Sequence, residues 1–465
     1  MAAIRESLFR ATRWTGRHIL RSPSRITIAG FLALIGVGTI LLILPVSTAK
    51  GGLGLVDALF TATSAVCVTG LVVVDTATCF TRFGQGVLLL LFQVGGLGIM
   101  TLSTLYLLMA GRRLSLTGRM VIQDTFTHSA DREPDTLLKS IVGFTLVLEA
   151  LGALVLFSRF SGRMPAADAV FNAVFHAVSA FCNAGFSTFS DSFTGYRGDW
   201  LVNGTLMLLI VSGGIGFLVI AELRETFLHG YRRLGRISLH SKIVLSTTGL
   251  LLAGGAGVIL VMEWPNTLGG LPVSERFLAA AFQSVTARTA GFNTLPIGAM
   301  ANQTLFVMIL LMFVGASPGS CGGGIKTTTL LAVVLMGISR LQGRDQPQAF
   351  YRRISTASVL KAVGVVLLAL TVIVVGTLFL LMSELGDISH LQSRGRFLEL
   401  LFEVVSAYGT VGLSMGVTES LSVPGKLVIT AIMFTGRLGP LMLALAVSRR
   451  TGPRYRYAEE RIMVG

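Results

Sequence analysis

Gly315-Ala-Ser-Pro-Gly-Ser-Cys-Gly-Gly-Gly-Ile-Lys-Thr-Thr-Thr329 interrupts an apolar run that begins at Leu305 and resumes at Leu330. Five glycines and a proline in this stretch cannot continue a regular helix, because proline lacks the N–H and glycine loses the most freedom when fixed. The stretch is not a phosphate-cradling P-loop: that motif needs G-x-x-x-x-G-K-[ST] after a strand, and here Ile325 separates Gly324 from Lys326. Irregular backbone between apolar runs survives at membrane depth where it is buried in protein or lines a water-filled cavity. The reading that follows is a membrane protein with a pathway through it.

Composition agrees. The chain of 465 residues is 52% hydrophobic and 13% charged, and its mean hydropathy is +0.74, too apolar for a soluble globular domain. The net charge of +15 does not imply nucleic acid, because most of the basic residues fall in short segments between apolar spans. The four cysteines (Cys67, Cys79, Cys182, Cys321) have no metal-site spacing, and no disulfide framework is expected. Residues 1–25 carry six arginines against one glutamate. The run 26–44 that follows is long enough to span, which favours a retained helix over a cleaved signal peptide.

A unit of span, short apolar hairpin and span occurs four times. The hairpins end at Cys67-Val68-Thr69-Gly70, Cys182-Asn183-Ala184-Gly185, Arg288-Thr289-Ala290-Gly291 and Gly409-Thr410-Val411-Gly412. Phe60, Phe175 and Phe402 each stand ten residues before their glycine, with Phe282 one place off; Ser64, Ser179 and Ser406 stand six before it, where the third copy has Val285. The expected fold is an all-α membrane protein: four tandem helix–re-entrant pore loop–helix repeats, eight transmembrane spans, around a central pore. The repeats cover 26–111, 138–223, 242–338 and 358–448, between a basic N-terminus 1–25 and a tail 449–465. The interrupting loop 315–329 is expected to break the third repeat alone, leaving a symmetric ring of hairpins and a separate asymmetric loop. Basic residues concentrate in 1–25, in the three segments between repeats and in the tail, which places both termini in the cytosol and the hairpins on the outer side.

Four loops around one axis can aim backbone carbonyls at a common line, replacing the hydration shell of an alkali cation. Glycine suits these positions because carbonyl alignment demands backbone angles that a Cβ disfavours. Neutral side chains around it favour a monovalent ion; a divalent site would more often carry a ring of carboxylates.

These sequences, with Ser-Pro-Gly-Ser-Cys-Gly-Gly-Gly-Ile-Lys-Thr-Thr at 317–328, resemble the Trk/Ktr/HKT superfamily of potassium transporters from about residue 26 onward. The short N-terminus and the tail look most like Ktr-type membrane subunits. The resemblance implies potassium uptake through a K+ filter made by the four quartets above, with Gly70 standing where sodium-carrying members have serine. Sodium dependence or co-transport, as in a symporter, stays open. It further implies a gate loop at Gly315, Pro318, Gly319, Gly322, Gly323, Gly324 and Lys326, and a barrier at Arg437. The implied assembly is a homodimer on a cytosolic nucleotide-binding regulatory ring of the KtrA/RCK type. The implied location is the plasma membrane, multi-pass among its lipids, or the inner membrane in a Gram-negative source. No organic cofactor and no nucleic-acid partner are expected. Cys321 stands where relatives usually have Ser or Thr.

Other charged residues at membrane depth are candidates by default. Arg288 is expected to turn behind its loop onto carbonyls or onto Glu275, Glu399 or Glu403, and Lys326 either to hold the loop or to snorkel outward. Glu149 reads as a helix-packing acid or as a pore or subunit contact. Asp57, Asp168 and Glu275 read as caps on short helices. An alternating-access carrier of a small solute is the alternative, though carriers more often pair inverted repeats. An enzyme would cluster its catalytic side chains, and the six histidines are scattered.

Overall fold

The structure, a computed structural model, describes residues 23–49, 51–98, 134–228, 237–344 and 346–439. Most of the basic N-terminus, residues 99–133 and residues 440–465 therefore lie outside the described residues. Long and short helices alternate along the chain. The long ones are α1 (Pro23–Ile43), α4 (Pro134–Phe160), α8 (Leu239–Glu263) and α12 (Thr356–Glu384). The short ones are α2 (Leu55–Val66), α5 (Ala166–Cys182), α9 (Val273–Thr286) and α13 (Arg396–Gly409). Each is followed by an extended turn and a further helix: α3 (Arg82–Leu97), α6 (Trp200–Ile215) with α7 (Phe217–Leu228), α10 (Asn302–Phe313) with α11 (Thr327–Leu341), and α14 (Val423–Leu438). Strands β1 (Gln348–Ala349) and β2 (Arg352–Arg353) form one small antiparallel hairpin after α11.

Among the described residues, three helices are long and apolar enough to cross a membrane (139–160, Leu239–Glu263 and Thr356–Glu384). The bent pair α6–α7 makes a fourth if counted as one span. Their outward faces are apolar: Leu250 and Val261 on α8 are each 75% exposed, an arrangement suited to lipid rather than water. The short helices are buried along most of their length, and α2, α5 and α13 each pack between the long helix before them and the helix after them.

Glycine permits that packing. A Cβ on Gly95 of α3, Gly213 of α6 or Gly436 of α14 would collide with the carbonyl oxygen of Val66, Phe181 or Tyr408, each at the end of the adjacent short helix. Three residues on, the same helices stop at glycines with matching backbone: Gly98 (φ 80, ψ 140), Gly216 (φ 101, ψ 137) and Gly439 (φ 79, ψ 137). The sequence therefore carries a second motif, Gly95-Gly-Leu-Gly98, Gly213-Gly-Ile-Gly216 and Gly436-Arg-Leu-Gly439, distinct from the hairpin glycines. One expectation is corrected here. The chain is also broken between α6 and α7, where it turns by 106°. The loop after α10 is thus not the sole interruption.

Asp57, Asp168 and Glu275 occupy the first turns of α2, α5 and α9, as expected of dipole caps. They also reach across seams of the structure: Lys426 of α14 pairs with Asp57 at 2.7 Å, Arg82 of α3 pairs with Asp168, and Arg197 before α6 lies 3.9 Å from Glu275. Glu399 of α13 pairs instead with its own Arg396 at 3.2 Å. Asp199 caps α6 and binds Arg159 of α4 at 2.8 Å. Burial would raise the Asp199 carboxyl, but hydrogen bonds from Arg159, Val202 and Leu201 hold it below its ordinary value. Half-exposed pairs of this kind contribute up to about 1 kcal/mol each and fade with salt.

The glycine contacts give a direct test. Gly213→Ala should lower the thermal stability of the purified protein in detergent by about 1–3 kcal/mol through overpacking. Gly204→Ala on the same helix, where nothing lies within 4 Å of the new Cβ, should be neutral or slightly stabilising. Equal melting temperatures for the two variants would refute the close-packing role.

Candidate functional site

The four short helices end in the same turn. Two residues before each glycine, a non-glycine residue adopts positive φ: Val68 (56°), Asn183 (59°), Thr289 (72°) and Thr410 (50°). Then follow Gly70 (91°), Gly185 (71°), Gly291 (82°) and Gly412 (91°). Left-handed backbone at Val or Thr costs on the order of 1–3 kcal/mol and persists only when its surroundings over-determine it. Here the surroundings are the other three turns. A Cβ on Gly70 would lie 2.5 Å from the Ala184 oxygen, one on Gly185 2.8 Å from the Ala290 oxygen, and one on Gly291 2.6 Å from the Val411 oxygen; a Cβ on Gly412 would strike the Thr69 oxygen. The contacts run from turn to turn in chain order and close on themselves. Thr69, Ala184, Ala290 and Val411, each one place before its glycine, thus bring four backbone carbonyls to one ring.

The first residue of each sequence quartet sits at a helix end. Cys67 caps α2 in right-handed conformation, Cys182 and Gly409 are the last residues of α5 and α13, and Arg288 lies just past α9. These first members belong to the helix ends and not to the extended turn. Beyond the glycines opens a cavity of about 320 Å³, lined by the four glycines and by Asp75, Ser187, Asp191, Ser414 and Glu419 among others.

A hydroxyl behind each turn holds it. Ser64 and Ser406 accept the Gly70 and Gly412 N–H, both at 3.1 Å, whereas Ser179 donates to the Phe186 carbonyl at 2.8 Å and Thr286 to the Phe292 carbonyl at 2.6 Å. Thr286 resolves the apparent gap at Val285. The third turn is one residue shorter: Ala290 N–H bonds to Thr286 O, four back, where Thr69, Ala184 and Val411 each bond five back, to Ser64, Ser179 and Ser406. Phe282, one place off by counting, is therefore the counterpart of Phe60, Phe175 and Phe402, and all four rings are fully buried.

The loop 315–329 lies against the other side of the ring. Ser317 and Cys321 donate backbone N–H bonds to Gly214 and Gly213 of α6, both at 3.0 Å, and Phe217 N–H bonds to Gly319 O at 3.0 Å, so the loop fills the break between α6 and α7. Gly323 N–H donates to Thr410 Oγ1 at 3.0 Å. A Cβ on Gly322 would meet the Thr289 hydroxyl and one on Gly323 the Thr410 hydroxyl. These glycines are required by close approach to the turns above them, a steric reason the sequence did not disclose. Gly324 (φ 67) and Gly319 (φ 71) also need left-handed backbone, and Pro318 offers the carbonyl oxygen that a Cβ on Gly216 would meet at 2.5 Å. Asn183 and Thr289 link the second and third turns at 3.1 Å; with its amide nitrogen facing Ala180 O and Ile210 O, Asn183 accepts from the Thr289 hydroxyl.

The charged candidates sort differently from one another. Arg437 stands in its motif where Gly96 and Gly214 stand in theirs, and donates from Nη1 to Cys321 O of the loop and from Nη2 to Gly95 O of α3. Lys326 folds back, donating from Nζ to Gly322 O at 2.7 Å. Arg288 is 7% exposed and points away from the ring, its Nη2 3.4 Å from Gly315 O. Carbonyl contact is thus its partner, since Glu275 faces Arg197, Glu399 faces Arg396, and Glu403 accepts from Ser414 and Thr418. Glu149 accepts from Gln93 at 3.1 Å, joining α4 to α3. Among the described residues no three His, Cys, Asp or Glu side chains are placed to hold a metal. The ring offers backbone oxygens, the donors that suit a hard cation.

The TrkH family, described as a cation transport protein, matches residues 2–453. The chain is 38% identical over 446 residues to Ktr system potassium uptake protein B of Bacillus subtilis, covering 96% of this chain and 97% of that one. It is 36% identical over 449 residues to the potassium/sodium uptake protein NtpJ of Enterococcus hirae, covering 96% and 97%. In fold it resembles the crystal structure of the potassium transporter TrkH from Vibrio parahaemolyticus, with a TM-score of 0.72 at 19% identity, over 92% of this chain and 85% of that one.

The Thr410 contact predicts how firmly the loop is held. Thr410→Val keeps the side chain's shape but frees the Gly323 N–H, so amide hydrogen exchange across 315–326 should speed up roughly fivefold, the value of about one buried hydrogen bond. Exchange unchanged from the wild type would show that the bond does not anchor the loop.

Proposed function

The chain belongs to the TrkH family of cation transport proteins, and on that premise we propose that it is the membrane subunit of a potassium uptake system. Potassium passes, partly dehydrated, through the ring at Gly70, Gly185, Gly291 and Gly412, where the carbonyls of Thr69, Ala184, Ala290 and Val411 replace its water. The observation that carries this reading is the closed set of glycine-to-carbonyl contacts between neighbouring turns. The oxygens brought to the ring are backbone carbonyls and not carboxylates, so the site binds weakly enough to release the ion as well as admit it.

The loop 315–329 acts as the gate, and Arg437 acts on it twice. Its positive charge opposes cations below the ring, and its two donated bonds tie the loop at Cys321 to α3 at Gly95. The proposed architecture is eight spans with the four short helices entering from outside and both termini in the cytosol, in a plasma membrane or a bacterial inner membrane. The proposed assembly is a homodimer, with a regulatory partner forming a cytosolic nucleotide-binding ring that moves the gate. Glycine at position 70 favours potassium over sodium as the permeant ion, and sodium remains a candidate coupling ion.

Expression together with a regulatory subunit in a host lacking potassium uptake should restore growth at low potassium. Failure of the wild-type pair to do so, with both proteins present, overturns the assignment. Arg437→Gln removes one charge-assisted bond or both, each worth about 1.5–3 kcal/mol. It should therefore raise uptake in the unstimulated state by roughly tenfold or more, whereas a variant that folds yet transports at the wild-type rate contradicts the gating role.

A further inference from the structure

The residue after each buried phenylalanine of the short helices is Thr61, His176, Gln283 and Glu403, once the shorter third turn is allowed for. All four stand at one level behind the ring. Two of them bind the strand that leaves it. His176 Nε2 lies 3.0 Å from Ser187 Oγ and accepts the Thr188 N–H at 3.3 Å; Nδ1, 2.8 Å from Asn172 O, then carries the proton, so the imidazole is neutral. Glu403 accepts from Ser414 Oγ at 2.9 Å and from the Thr418 hydroxyl. Ser187 and Ser414 are counterparts, two residues beyond Gly185 and Gly412, and each also accepts the N–H two residues further on, from Phe189 and Gly416, both at 3.0 Å.

The other two positions do not reach the strand. Thr61 spends its hydroxyl on Asp57 O of its own helix at 2.8 Å and faces a strand with Val72. Gln283 is fully buried, and its amide has no hydrogen-bond partner among the described residues. The anchored turns, second and fourth, are diagonal in the ring, and their anchors are rigid. His176 is fully buried, stacked on Phe189 at 4.6 Å and edge-on to Phe193 at 4.9 Å; Glu403 is also fully buried.

We propose that His176 and Glu403 are positioning residues that pin the ring at two diagonal corners and thereby set its discrimination between cations of different radius. The proposal rests on the potassium-uptake reading. Carbonyls held at fixed separation favour the ion that fits them, whereas a ring free to shrink coordinates a smaller ion as well. Hydrogen bonds from these fully buried anchors to the half-buried Ser187 and Ser414 supply the stiffness. The third corner is held differently, with the Asn293 N–H donating to Ser192 Oγ at 3.2 Å and the Phe193 N–H to Asn293 O at 3.0 Å, so the anchors from behind the ring follow a twofold pattern on a fourfold plan.

The test uses the full-length protein with its regulatory partner, reading potassium uptake and its inhibition by sodium. Ser187→Ala and Ser414→Ala should each weaken the preference for potassium over sodium a few-fold. The double variant should weaken it roughly tenfold, by the loss of two partly buried bonds, with uptake itself reduced less than selectivity. Glu403→Gln, whose amide oxygen still accepts from Ser414, should keep most of the preference that Glu403→Leu loses. Thr61→Val should match the wild type. A double variant that transports potassium and discriminates as the wild type does overturns the proposal. Thermal stabilisation of the purified proteins by potassium against sodium reads the same preference without transport. If the wild type shows no uptake, the transport assignment fails; a double variant that still distinguishes the ions in the thermal assay overturns the positioning role separately.

Discussion

The structure depends on one steric constraint: the space where a Cβ would stand on each ring glycine is already filled by a carbonyl from the next turn. Four turns can approach so closely only if each lacks a side chain at that position and adopts positive φ. The same device acts one layer out, where Gly95, Gly213 and Gly436 let the following helices lie on the carbonyls that end the short helices. Backbone therefore packs on backbone through two shells, and the left-handed strain at Val68, Asn183, Thr289 and Thr410 is held in place by that packing. Side-chain hydroxyls at Ser64, Ser179, Thr286 and Ser406 fix the orientation of what the glycines allow.

The ring was readable in the sequence because its constraint falls on residue type. Only glycine fits, so Gly70, Gly185, Gly291 and Gly412 stand out with Phe60, Phe175 and Phe402 at constant spacing. The third copy was harder because its turn is a residue shorter, which moved Phe282 and hid Thr286 behind Val285; a count in residues cannot register a change in hydrogen-bond step. The break at Gly216 went unread for a different reason. Its flanks, Ile215 and Phe217, are as apolar as the rest of the helix, and hydropathy does not report a backbone angle. The motif Gly-x-Leu/Ile-Gly would have exposed it, together with the substitution of Arg437 for a glycine.

Ring and loop are not independent parts. Thr289 and Thr410 belong to the turns, yet their hydroxyls define the space that Gly322 and Gly323 occupy, and Thr410 bonds to Gly323 directly. Arg288, at the end of the third short helix, reaches Gly315 at the loop's start. If the loop moves as the proposed gate, it must release side chains that pack against the strained backbone of the ring, and the two proposed devices are then coupled through those contacts.

The pair between Lys426 and Asp57 joins residues 369 positions apart, and the contact from Gly412 to Thr69 closes the ring across a similar span. During synthesis the first short helix lacks the partner of its Asp57, and its turn stays open on one side, until α14 and the turn before it have been made. The seam that closes the ring thus joins late-made residues to the first-made turn.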